Sequence, residues 1–75
     1  MYDYRKLRAR IVEIYGKGSQ SKFAEDMGLS EHTISTKLTG QVAWKQPEIS
    51  KAIKILHLDP DDIPVYFFTL NVQRD

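Results

Sequence analysis

Cysteine is absent from this 75-residue chain, which rules out a disulfide framework and thiolate metal sites and fits a reducing compartment. Long apolar runs are missing too: none approaches the ~18 residues of a membrane span. The N-terminal stretch MYDYRKLRAR is basic, but no apolar segment follows it, so it does not read as a signal peptide. No linker, internal repeat or low-complexity tract divides the chain. Catalytic patterns are equally scarce. The two histidines and the acids show no metal-ligand spacing, and no Ser/His/Asp set suggests a nucleophile. Gly16-Lys17-Gly18-Ser19 resembles a fragment of a phosphate-binding loop, but it follows a helical segment and lacks the full spacing. An enzyme, a metal, a cofactor and a small-molecule substrate are therefore not expected.

What is present is a single domain spanning residues 1–75, with 41% hydrophobic and 28% charged residues. A chain this short buries a modest core and is often stabilised further by a partner or a second copy. The net charge is only +1, but it is unevenly spread. Residues 1–45 hold eight Lys/Arg against five Asp/Glu, a balance of +3, whereas residues 46–75 hold three against five, a balance of −2. Such asymmetry suits a protein that shows one face to a polyanion, but charge alone favours ordinary surface charge, because many nucleic-acid-binding domains are far more basic.

Hydrophobic spacing predicts helices. Tyr4, Leu7, Ile11, Ile14 and Tyr15 recur at helical intervals, with Asp3 as N-cap and Gly16 just past the end. Ser19 is expected to cap a helix over Gln20–Met27 that buries Phe23, Ala24 and Met27. Gly28 ends it in the left-handed conformation. Ser30 caps a helix over Glu31–Leu38, anchored by Ile34 and Leu38. A loop over Thr39–Lys45 follows. Gln46-Pro47-Glu48 opens a fourth helix with the stripe Ile49, Ala52, Ile53 and Leu56, and Trp44 is placed to pack back on Ile49. His57 falls at its negative end. Asp59-Pro60-Asp61-Asp62 starts a fifth, short helix that Pro64 limits. Val65 to Val72 reads either as a short strand or as a helix end.

The segment Gln20–Gly40 stands out. Ala24 is small where two helices would cross at about 90–120°, and Gly28 permits the sharp turn between them. Leu29 plugs that turn. With Ile34 and Leu38 inward, Glu31, His32, Ser35, Thr36 and Lys37 are left facing out, an unusual density of hydrogen-bonding side chains for a helix that serves only a core. Such side chains can reach base edges or phosphates. The alternative is a plain helical hairpin in a small bundle.

The stretch Gln20-Ser21-Lys22-Phe23-Ala24-Glu25-Asp26-Met27-Gly28-Leu29-Ser30 resembles the helix-turn-helix of the Cro/repressor class of phage and bacterial regulators. Over residues 4–68 the chain is similar to the small Cro-like or modulator-of-repression proteins of temperate phages of Gram-positive bacteria. The resemblance implies an all-α, lambda-repressor-like domain of about five short helices, with the helix-turn-helix at 19–39. It implies base contacts from Glu31, His32, Ser35 and Thr36. Phosphate contacts would come from Gln20, Lys22, Lys37, Thr39, Gln41 and Lys45. Two positions depart from the family pattern. Lys37 stands where an apolar residue is usual, with Leu38 expected to take its buried role. Glu31 stands where glutamine is common, and its carboxylate repels phosphate.

Two functions are therefore expected to compete. One is a transcriptional regulator whose 31–38 helix enters the major groove of double-stranded operator DNA and blocks polymerase, as a homodimer on half-sites about one turn apart. The other is a protein-interaction module, an antirepressor that binds the phage's main repressor and alters its operator occupancy. Either works in the bacterial cytosol, with no membrane partner. Arg5, Lys6, Arg8 and Arg10 read as a solvated face or as reaching flanking phosphates. Leu70 and Val72, in a 65–75 tail, are candidates for a dimer or partner contact.

Overall fold

In the computed structural model of the chain, residues 2–70 are described, and they are helical throughout apart from turns and one isolated bridge. The order is α1 (Arg5–Tyr15), α2 (Ser19–Met27), α3 (Glu31–Leu38), α4 (Gln46–Ile55), a 3-10 turn (Pro60–Asp62) and α5 (Ile63–Phe67). The expected apolar stripes all turn inward. Leu7 and Ile11 of α1, Phe23, Ala24 and Met27 of α2, Ile34 and Leu38 of α3, and Ile49, Ala52 and Ile53 of α4 meet Tyr4, Leu56 and Phe67 in one core. Burial of these side chains contributes on the order of 1.5–3 kcal/mol each for the larger ones, and it holds helices that are too short to persist alone.

Helix starts follow local chemistry, with two shifts from expectation. Asp3 sits one residue before the cap position of α1. Its carboxylate accepts from the Arg5 amide at 2.9 Å and from the Arg5 guanidinium at 2.7 Å. Those hydrogen bonds hold its pKa below the ordinary carboxylate value. Ser19 belongs to α2 itself, because left-handed Gly18 occupies the cap position and its carbonyl accepts from the Lys22 amide. Ser30 caps α3 as expected, accepting from the Thr33 amide at 3.0 Å. In α4, Pro47 is the second residue, and Glu48 reaches back to accept from the Lys45 amide at 2.9 Å.

Three helices end with the same device, a left-handed residue followed by a backbone bond spanning six residues. Gly28 ends α2, with the Leu29 amide on the Ala24 carbonyl at 3.0 Å. Gly40 follows α3, with the Gln41 amide on the Thr36 carbonyl at 2.9 Å. After α4 the left-handed residue is His57, at φ 56°, with the Leu58 amide on the Ile53 carbonyl at 2.8 Å.

The same three ends are also met by cations from distant elements. Lys51 Nζ donates to the Met27 carbonyl at 3.3 Å, Arg8 Nη2 to the Leu38 carbonyl at 2.9 Å, and Arg10 Nε to the Leu56 carbonyl at 3.0 Å. These carbonyls have no partner within their own helices and carry the negative end of the dipole, so a cation there is doubly favourable.

Pro64 does not limit the last helix. It is the second residue of α5, where a missing N–H removes no helical bond, and its carbonyl accepts from the Phe68 amide at 3.1 Å. Of the two readings for the segment after it, the helix end holds through Phe67. Leu70 then forms a single antiparallel bridge with Tyr2, and the Asp3 amide donates to the Thr69 carbonyl at 2.6 Å. Val72 lies outside the described residues, as does the rest of the expected tail beyond Leu70.

Candidate protein and nucleic-acid interface

The pair α2–α3 is positioned from both sides. Phe23, Ala24 and Met27 fix α2 to the core, and Ile34 and Leu38 fix α3. Half-buried Leu29 packs on the core between them, and Gly28, at φ 74°, makes the turn. The Ser30 hydroxyl accepts from the Thr33 amide and donates to Thr33 Oγ1 at 2.8 Å, which locks the first turn of α3.

The residues expected at base edges differ in availability. Glu31 and His32 are exposed at the N-terminus of α3. Ser35 and Thr36 are half-buried, and the Thr36 hydroxyl already donates to the Thr33 carbonyl at 2.8 Å. Among the residues expected at phosphates, Lys22, Thr39, Gln41 and Lys45 are exposed. Gln20 is half-buried beside Arg8, Val12 and Leu38.

Lys37 faces the other way, and its expected outward role is corrected. Its ammonium lies 2.8 Å from the Glu48 carboxylate, donates to the Ala43 carbonyl at 3.0 Å and sits 5.8 Å from the centre of the Trp44 ring. Leu38 does not replace it: both residues are buried. The spacing carried the signal, because Ile34, Lys37 and Leu38 fall on one face of a helix. Burial pushes the Glu48 carboxyl up, but the Lys37 ammonium and the Lys45 amide outweigh it and hold it below the ordinary glutamate value.

The electrostatics of α2–α3 are consequently acidic. With Lys37 neutralised by Glu48, the exposed charges over residues 19–38 are Lys22 against Glu25, Asp26 and Glu31. The basic residues of α1 do not supply the deficit freely. Arg5 pairs with Asp3, Arg8 and Arg10 are engaged at the ends of α3 and α4, and only Lys6 of the four is exposed without such a role among the described residues. The roles of Arg8 and Arg10 could not be assigned from α1 alone, since their partners lie 30 and 46 residues away.

A second feature of the surface includes Leu70, one of the two residues expected at a partner contact, and adds Tyr2 and Phe68 to it. Tyr2, Phe68 and Leu70 are exposed apolar side chains next to one another, with the Tyr2 and Phe68 rings edge to face at 5.5 Å. Phe68 does not enter the core. Phe67 takes that place instead, and turns its ring edge to face against Trp44 at 5.3 Å.

Among the described residues, no helix is long and apolar enough to cross a membrane. No curated protein matches the chain. Among solved structures, the chain is similar to the modulator of repression of the temperate bacteriophage TP901-1 from Lactococcus lactis. The two share 50% identity, over 96% of this chain and 95% of that one, with a TM-score of 0.77. The sequence profile of a protein family also matches residues 1–70, and the chain belongs to that family, described as protein of unknown function DUF739.

Proposed function

We propose that this protein is a modulator of repression of a temperate phage, and that it acts by binding the phage's main repressor and changing its operator occupancy. The observation that carries this reading is the 50% identity to a phage modulator of repression along nearly the whole of both chains. The acidic balance of α2–α3 supports it. Phosphate neutralisation supplies most of the affinity of DNA-binding domains, and a hairpin with three exposed acids and one exposed lysine offers little of it.

The second reading is direct operator recognition by α3 as the second helix of a Cro-like helix-turn-helix. It is favoured by the Ser30 cap and the Gly28 turn, which present Glu31 and His32 together at the exposed start of α3. In that reading Thr39, Gln41 and Lys45 continue along the backbone of the duplex.

Two titrations test the proposal. Calorimetry of this protein with the purified main repressor should show a defined complex. Fluorescence anisotropy with labelled DNA from the phage's own intergenic region, over a salt series, should show weak binding that does not discriminate a scrambled duplex. Tight, sequence-selective DNA binding without the repressor would overturn the proposal in favour of the second reading.

A further inference from the structure

The surface at the chain's two meeting ends has a composition that neither the core nor α3 explains. A hollow of about 480 Å³ is lined by Tyr2, Tyr4, Gln41, Trp44, Phe67 and Phe68, among others, and is predominantly apolar. Phe68 is 47% exposed and Leu70, bridged to Tyr2, is 63% exposed. A small soluble domain gains nothing in water from such a cluster, and contiguous exposed apolar surface commonly marks a contact site.

The rim on one side is basic. Tyr2 and Tyr4 also line a neighbouring hollow of about 370 Å³ that they share with Asp3, Arg5 and Arg8. Arg5 and Asp3 continue into a third, of about 330 Å³, with Lys6. Arg5 and Lys6 thus line the hollows beside the aromatic one against the single acid Asp3, Arg8 being turned to the Leu38 carbonyl, and the Arg5 side chain is 83% exposed even while paired.

We infer that the Tyr2–Phe68–Leu70 face, with its Arg5–Lys6 rim, is the docking site for an acidic, apolar-anchored segment of a protein partner. Charge complementarity selects this occupant. A second copy meeting by the same face brings to the rim no carboxylate but Asp3, which its own Arg5 already holds. A nucleic acid would satisfy the rim but leave Phe68 and Leu70 without apolar cover. A segment that alternates leucine-like and carboxylate side chains meets both halves of the surface. The inference rests on the reading that a protein is the partner, and it places the contact outside α3.

The test uses the full chain. Phe68→Ser with Leu70→Ser removes the apolar half, and Arg5→Glu with Lys6→Glu reverses the rim. Thermal melts confirm that these surface variants fold. The probes are the main repressor and a fluorescein-labelled decapeptide of alternating leucine and glutamate. A lysine-for-glutamate peptide and phosphatidylglycerol vesicles serve as controls. The expected result is at least a tenfold loss of repressor binding in both variants, no such loss in Glu31→Ala with His32→Ala, and preference for the acidic peptide over the basic one. Unchanged repressor binding in both variants would overturn the docking site while leaving the proposed function intact. Should the unaltered protein fail to bind the repressor, the proposed function falls, and the peptide arm decides the docking site by itself. Equal binding of the two peptides, vesicle binding that depends on Phe68 and Leu70, or a dimer that dissociates in the serine variant would each overturn the inference.

Discussion

The Lys37 ammonium and the Glu48 carboxylate meet at 2.8 Å, with 3% of the lysine side chain and 18% of the glutamate side chain open to solvent. This pair joins the end of α3 to the first turn of α4 across the intervening loop. Replacing Glu48 with Gln leaves the ammonium buried beside a neutral partner, and should cost about 3 kcal/mol in urea denaturation, as for other broken buried pairs. Lys37→Met with Glu48→Gln should recover most of that loss. The pair also sets an acid limit. Because the Glu48 carboxyl is held below its ordinary value of 4.5, its contribution is complete above that pH and is lost as pH falls through the lowered value. Glu48→Gln should therefore flatten the acid arm of a stability–pH curve.

At the alkaline end the relevant contact is Tyr15 Oη donating to the Asp26 carboxylate at 2.5 Å. Burial, and then this bond to a carboxylate, push the phenol from 10.0 up to about 12. A raised pKa means that the stabilisation is full below pH 10 and is lost as pH rises through about 12. Absorbance at the phenolate band should show Tyr15 ionising at about 12, with buried Tyr4 also raised above 10.0, and Asp26→Asn should lower the Tyr15 step.

His57 adopts the left-handed conformation at φ 56° while its amide donates to the Lys54 carbonyl at 3.3 Å. A β-carbon there costs roughly 1 kcal/mol, and glycine escapes that cost at some expense in chain entropy. His57→Gly should raise stability by about 0.5 kcal/mol, read as a higher urea midpoint at unchanged slope. Gly28→Ala should do the opposite, by about 1–2 kcal/mol. An added β-carbon at Gly28 meets Lys51 Nζ at 3.8 Å, an ordinary contact, so the cost is conformational and not steric.

Glu31 is exposed at the start of α3, so its charge can be changed without disturbing the core. Glu31→Lys should raise affinity for any duplex several-fold at low salt, with a steeper salt slope, and should leave the melting temperature within a few degrees. If the wild-type carboxylate instead reads cytosine, the same change should abolish selective binding, which anisotropy with matched and scrambled duplexes will distinguish.

Much of the fold was legible because the helical stripes are clean. Phe23, Ala24 and Met27, then Ile34 and Leu38, then Ile49, Ala52, Ile53 and Leu56, can be read straight from periodicity, and Gly28 and Ser30 mark the turn between α2 and α3. What escaped were interactions whose partners lie far along the chain. Lys37 reads as a surface residue until Glu48 is placed beside it, and Arg8 and Arg10 read as a solvated face until the carbonyls of Leu38 and Leu56 arrive. The end of the chain was ambiguous for a different reason. In Tyr66-Phe67-Phe68 every residue is aromatic, so hydrophobicity cannot say which one enters the core; the five-residue length of α5 decides for Phe67 and turns Phe68 outward.

The cationic caps have a further consequence, for how the chain acquires its shape. Lys51, Arg8 and Arg10 reach carbonyls 24, 30 and 46 residues away in sequence. A fragment short of most of the chain leaves at least one of these three ends without its cation. A nascent α1–α3 segment leaves the end of α2 waiting for Lys51, and a chain that has lost α1 strips the ends of α3 and α4 together. Unfolding should thus be all-or-none, with amides at those three helix ends exchanging hydrogen for deuterium at rates set by global opening and not by fraying. A nick inside this span should therefore unfold the whole domain and leave no partly folded remnant for a partner to engage.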